Sequence, residues 1–211
     1  ILKSMKLISE TKGLSKLAEI RREFAEEVRR SYEHRAKPCS ACENPGACCL
    51  DEHFVNVRVT RLEESAISNS IDGLPAELRE KVLSRAREGV ERYGLEKSGE
   101  DLGTYACPLF EKGIGCLVHD SAKPLPCIAH ACYERKEDLP PDELLAEREM
   151  EIDRLNRRVY GKSGPLLPIP VALGRLFDLS TDDRHGDQQA EEDKVIPERK
   201  VIPCHRLHQY S

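Results

Sequence analysis

The chain has 211 residues, nine of them cysteine, a net charge of −5 and a mean hydropathy of −0.55. At about 4% cysteine it lies well below the density of a disulfide scaffold, and it is long enough to bury a core without staples. No stretch approaches the roughly 18 apolar residues of a spanning helix, and an acidic balance with no tryptophan argues against a general nucleic-acid binder or a base-stacking surface. No apolar segment follows a basic start, so a cytoplasmic location is the expectation, with Met5 a candidate start. An odd number of cysteines cannot pair fully within one chain, and in that compartment closely spaced thiols read as ligands.

Residues 14–35 predict a charged amphipathic helix, with Leu14, Leu17, Ala18, Phe24, Ala25, Val28 and Tyr32 at helical spacing and Arg21 interrupting the stripe. Residues 1–38 hold ten Lys/Arg against six Asp/Glu. That excess reads as a solvated helix face rather than a basic groove. Pro38 ends the element, because the residue before proline is pushed out of the helical region. Residues 39–50 read as a cysteine-rich loop. Val55, Val57 and Val59 alternate as one face of a short strand over 54–59. Thr60 and Glu63 form a capping box that starts a helix near Arg61, and Asp72-Gly73 breaks it. Pro75 opens the next helix, which carries Leu78, Val82, Ala86, Val90 and Tyr93 and closes at Gly94. Residues 95–106 read as loop, and 107–132 as a cysteine-bearing stretch around a Gly113–Gly115 turn. Asp142 to Tyr160 predicts a charged helix with Leu145, Ile152, Leu155 and Val159 inward and Gly161 as its stop. Residues 165–179, rich in proline and leucine, read as an extended arm. From 178 to 193 there are seven acidic residues against one basic, which predicts a mobile acidic tail.

The cysteines fall into two groups of four and one single. The first is Cys39-x2-Cys42-x5-Cys48-Cys49; the second is Cys107-x8-Cys116-x10-Cys127-x4-Cys132. A C-x2-C turn reverses the chain so that two thiolates reach one metal, and thiolates are soft ligands suited to zinc and to iron–sulfur clusters. The competing reading is a buried thiol acting as a small hydrophobe, and it bears more on the second group than on the first. Side chains of adjacent Cys48 and Cys49 diverge, so both fit one tetrahedron poorly. They suit two metals, a polynuclear cluster, or one bound and one unbound thiol. The second group contains no C-x2-C pair. One site drawing thiols from both halves therefore fits better than two independent zinc fingers.

The order Cys39-x2-Cys42, Cys48-Cys49, Thr-x-x-Glu at 60–63, Cys-Pro-Leu-Phe at 107–110, Gly-Cys-Leu-Val-His at 115–119 and Lys-Pro-x-x-Cys-x4-Cys at 123–132 resembles the YkgJ-type cysteine-cluster family, described as a zinc- or iron-chelating domain. The likeness covers about residues 39 to 132. The chain departs from it with Val118-His119 and Lys123-Pro124, where the family often has Ile-Tyr and Arg-Pro. The resemblance implies that Cys39, Cys42, Cys48, Cys49, Cys107, Cys116, Cys127 and Cys132 all belong to a metal-binding module. It implies little about activity: some relatives are called iron–sulfur oxidoreductases, and flagellin lysine methylases share the cysteine cluster.

His34, His53, His119 and His130 lie near these cysteines in sequence, each readable as a ligand or as a surface or supporting histidine. Asp51, Glu52 and Glu63 are candidate carboxylate ligands, although the capping box already accounts for Glu63. Two other motifs mislead. Pro203-Cys204-His205-Arg206 resembles an alkyltransferase nucleophile but follows an acidic tail, which leaves Cys204 as the single thiol. Gly161-Lys162-Ser163 resembles the end of a phosphate loop, but Asn156 stands where the motif needs glycine.

These observations predict a mostly helical α+β fold. Helices at 14–35, 76–93 and 142–160 would flank a small cysteine-rich metal-binding module with a short two-stranded element. The expected organisation is an N-terminal helix over 1–38, a cysteine-cluster domain over 39–135, a helix and extended arm over 136–180, and a tail over 181–211. The expected cofactor is an iron–sulfur cluster, in electron transfer or as part of a redox enzyme. The alternative is a zinc-stabilised module without chemistry that contacts a protein partner through its helices or acidic tail. No membrane and no nucleic acid partner is expected, and no residue is singled out as catalytic.

Overall fold

A computed structural model describes residues 6–38, 41–42, 44–50, 55–95 and 104–181. Cys39, Asp51, Glu52, His53, Cys204 and the acidic tail from 182 onward lie outside the described residues. The elements are α1 (Glu10–Ser31), β1 (Ala36–Lys37), α2 (Ala47–Leu50), β2 (Arg58–Val59), α3 (Arg61–Asp72), α4 (Ala76–Tyr93), β3 (Phe110–Glu111), β4 (Gly115–Cys116), α5 (Leu125–Ala129), β5 (Cys132–Tyr133), α6 (Asp142–Tyr160), β6 (Leu167–Pro168) and α7 (Ile169–Thr181). The fold is α+β and mostly helical, as expected. Its strands form three antiparallel two-stranded ladders, β1–β5, β2–β6 and β3–β4, where the sequence suggested one such element.

Helix α1 starts four residues earlier than the apolar stripe suggested, because the Ser9 side chain accepts from the Lys12 N–H at 3.3 Å and caps it. It stops at Ser31, and a short 3-10 turn over Glu33–Arg35 leads into β1. Gly13 sits inside this helix at some cost in propensity. A Cβ there would stand 2.5 Å from Val159 Cγ2, so the missing side chain lets α1 approach α6 closely.

Two apolar clusters share helix α3. In the first, Leu17, Ile20, Phe24 and Val28 of α1 pack with Leu125, Ile152, Leu155 and Leu62. Burying each such side chain contributes about 1.5–3 kcal/mol before conformational entropy is counted. In the second, Val82 and Ala86 of α4 pack with Ile67, Ile71, Tyr105, Leu109, Val118 and the start of α7. Helix α3 bridges them: Leu62 faces the first, Ile67 and Ile71 the second, and Ala66 packs against both.

The predicted capping box is present in full. Thr60 Oγ1 accepts from Glu63 N–H at 3.3 Å, and Glu63 Oε2 accepts from Thr60 N–H at 2.9 Å. The helices over 76–93 and 142–160 have the expected bounds, and each ends on a left-handed glycine, Gly94 (φ 61°) and Gly161 (φ 80°). Gly161 is thus a helix cap rather than part of a phosphate loop.

The extended arm expected over 165–179 is not what forms. Only Leu167–Pro168 is strand, and α7 begins at Ile169. Pro170 lies in the first turn, where an absent N–H costs no helix bond, so proline starts this helix instead of preventing it. Burial of Ile169, Ala172 and Leu173 against α3 and α4 then favours helix. The Ile169 N–H, which has no partner within the helix, donates to Tyr105 Oη at 3.1 Å.

Candidate metal centre

The first cysteine group is shaped by glycine. Gly46 has φ 89°, a conformation open to glycine, and it starts the single turn α2 by accepting from the N–H groups of Cys49 (2.8 Å) and Leu50 (3.0 Å). A Cβ on Gly46 would run into the ring of Phe110, so the close approach also requires glycine. Phe110 belongs to the hairpin of the second cysteine group, and the two groups therefore touch at this point.

The second group is held by its own anchors. Tyr105, fully buried, donates its hydroxyl to the Val57 carbonyl, and its N–H donates to Val55 O at 2.9 Å. Two residues on, Cys107 N–H donates to Cys49 O at 2.7 Å. The β3–β4 hairpin pairs Phe110 with Cys116, and Gly113 and Gly115 turn it with φ of 85° and 102°. Arg85 of α4 fixes that hairpin with two bonds, to Phe110 O at 2.7 Å and Glu111 Oε2 at 2.5 Å. Cys127 lies in the short helix α5, which Pro124 leads into and Leu125 ties to the first apolar cluster. Cys132, on β5, stands opposite Lys37, two positions before Cys39 in sequence.

The seven described cysteines, Cys42, Cys48, Cys49, Cys107, Cys116, Cys127 and Cys132, are all thiols at intermediate exposure. Five of them interact. Cys49 donates its S–H to Cys48, which also accepts from His130; these two bonds outweigh burial and hold Cys48 well below the ordinary thiol range. Cys49 is pushed up, first by that donated bond, then by burial and by Cys48, Cys107 and Cys127. Burial raises Cys107, and Cys127, Cys116 and Cys48 raise it further. Cys127 is pushed up to about 12 by burial foremost, with Lys123 opposing and Cys116, Cys48 and Glu63 adding. Cys116 is raised by burial, against the Val118 N–H, Lys123 and Arg21. Thiols from both halves of the sequence therefore share one electrostatic environment, in which each negative charge opposes the next. Cys42 precedes the Gly46 turn in the chain and is at intermediate exposure.

Among the described residues, no group of three or more His, Cys, Asp or Glu side chains is arranged so that it could hold a metal ion. The five thiols act on one another without forming such a group. His130 is exposed and contacts Cys48. His34 and His119 are exposed as well. Glu63 is buried within its capping box. Two open grooves, one of about 430 Å³ between α1 and α3 and one of about 800 Å³ beside Arg35 and Arg135, have no cysteine in their walls.

Two residues here escaped the motif reading. Tyr105 read as loop, and its signal was only an aromatic two positions before a cysteine. Arg21 was visible as a cation inside an apolar stripe, without any indication of what it binds. No family model, no curated protein and no solved structure matches the chain. No helix among the described residues is long and apolar enough to cross a membrane.

Proposed function

We propose that this protein holds a thiolate-ligated metal centre, an iron–sulfur cluster serving electron transfer or a redox enzyme, in the cytoplasm. The observation that carries the reading is the convergence of Cys48, Cys49, Cys107, Cys116 and Cys127 from segments about 57 residues apart, linked through the Cys107–Cys49 main-chain bond. Crowded thiols that oppose one another's ionisation are a donor set suited to a cation, since a bound metal deprotonates the sulfurs it coordinates. Cys39, Cys42 and Cys132 complete the eight-thiol set that the YkgJ-type resemblance implies. The adjacent pair Cys48-Cys49 favours a polynuclear cluster over a single tetrahedral ion, because neighbouring side chains diverge. A bound cluster would supply one-electron chemistry; the chain's part is to hold the sulfurs and limit access of water. His130, on Cys48, would tune that sulfur from outside the ligand set.

Protein purified without oxygen should show a broad visible band near about 400 nm, with iron and sulfide in stoichiometric amounts. A colourless protein with stoichiometric zinc would overturn the iron–sulfur reading in favour of a zinc-stabilised module that contacts a protein partner. Because the thiols of both groups are to serve one centre, Cys42→Ser and Cys127→Ser should lower the metal content equally. Unequal, additive losses would indicate two separate sites.

A further inference from the structure

Arg21 is the anomaly of helix α1. It interrupts an otherwise apolar stripe, yet it is only 7% exposed. Its guanidinium donates Nε–H to Lys123 O at 2.7 Å and Nη1–H to Ser121 O. Both acceptors are main-chain carbonyls, which bind the cation without cancelling its charge. A buried arginine stays charged under ordinary conditions, so a positive charge is fixed at this point.

The place it grips is particular. The segment from Val118 to Leu125 crosses from one apolar cluster to the other: Val118 and Ala122 pack in the second, Leu125 in the first. Cys116 precedes this crossing and Cys127 follows it. Ser121 and Lys123 are its midpoint. A two-pronged donor on α1 therefore determines how far apart, and at what angle, the strand with Cys116 and the helix with Cys127 are held.

We propose that Arg21 is the positioning residue of the thiol centre: it clamps the 121–123 crossing so that Cys116 and Cys127 face one site. That the two cysteines serve one site rests on the metal-centre reading; the clamp itself does not.

Cobalt(II) titration of the metal-free protein tests both halves, because thiolate-to-cobalt charge-transfer absorption counts the sulfurs bound. Hydrogen exchange of residues 117–127 in the metal-free protein tests the clamp alone. The variants are Arg21→Met, Arg21→Lys, which keeps the charge but loses the fork, and Arg148→Met. Arg148 of α6 also ties down α1, through Glu27 at 3.4 Å and Glu23 at 3.9 Å, but it does not touch the crossing. Arg21→Met should bind cobalt at least about tenfold more weakly than wild type and with lower charge-transfer intensity at saturation. Arg21→Lys should fall between the two, and Arg148→Met should match wild type. Exchange within 117–127 should quicken about tenfold in Arg21→Met, for loss of two charge-assisted bonds.

Wild-type cobalt binding by Arg21→Met, unchanged exchange in 117–127, or an equal loss in Arg148→Met would each overturn the proposal. Should wild type itself take up no cobalt, the metal-centre reading fails and the positioning of a thiol site with it. The exchange experiment then decides for or against the clamp by itself.

Discussion

Tyr105 and Tyr133 are both buried tyrosines, and their hydroxyls differ in a way that makes a sharp comparison. Tyr105 Oη donates to Val57 O and accepts from Ile169 N–H at 3.1 Å, joining the segment before β2 to the start of α7. Burial, with Cys107 adding, raises this phenol well above its ordinary value, so it remains a donor throughout the neutral range. Tyr133 Oη is buried without a hydrogen-bond partner among the described residues. Tyr105→Phe keeps the ring and its packing but leaves one carbonyl and one N–H without their partner. At about 1–3 kcal/mol for each buried group left unpaired, the loss should be about 3 kcal/mol, within a range of roughly 2–6. For a chain of this length that corresponds to a fall in Tm of about 6–12 °C. Tyr133→Phe removes a hydroxyl that contributes no bond and should change stability by less than about 0.5 kcal/mol, or raise it slightly. Urea and thermal unfolding should be followed at matched metal content, since a bound metal shifts apparent stability by mass action. Equal effects of the two substitutions, or a Tyr105→Phe loss below about 1 kcal/mol, would refute the view that these two bonds are what Tyr105 contributes beyond its ring.

Two further outcomes follow from the site and its capping box. Gly46→Ala must adopt φ near 89° and also displace the Phe110 ring. It should destabilise the protein by about 1–3 kcal/mol or more and reduce metal content, measured by elemental analysis; a variant with wild-type metal content would show that α2 does not depend on that contact. Glu63 is raised above its ordinary value by burial, against the bonds from Thr60 and the charge of Arg21. A carboxyl whose folded value exceeds its unfolded one contributes stability that is full below the unfolded value and lost as pH rises through the folded value. Glu63→Gln keeps the capping box, because glutamine can accept from Thr60 in the same way, while removing this titration. The variant should therefore lose less stability than wild type as pH rises from the ordinary carboxyl value of 4.5 toward neutrality, measured by urea unfolding. Parallel pH profiles for the two proteins would show that Glu63 carries no such linkage.

Much of the helical scaffold could be read along the chain. The Thr60–Glu63 box, Pro75 and Gly94 around α4, and Asp142 to Gly161 around α6 are local signals, each complete within a few residues. Such signals act before tertiary contacts do, which is why the bounds of α3, α4 and α6 agree closely with the structure. The spacing of the cysteines set eight thiols apart from Cys204; that they serve a single site is the proposal made above.

Tertiary structure decided the rest. Leu167 to Leu173 could be an extended arm or a helix on local grounds, since proline is compatible with both. Burial of Ile169, Ala172 and Leu173, with Tyr105 receiving the first N–H, selected helix. The partner of Arg21 lies about a hundred residues away, and no periodicity can identify a carbonyl at that distance. The same holds for Cys49 and Cys107. Their motifs declare them to be thiols of one kind, but only the folded chain brings one main-chain N–H to the other's carbonyl. Local capping and spacing therefore determined which elements form and which residues are chemically equipped. Long-range burial and hydrogen bonding, whose partners carry no sequence label, determined how those residues come to face one another.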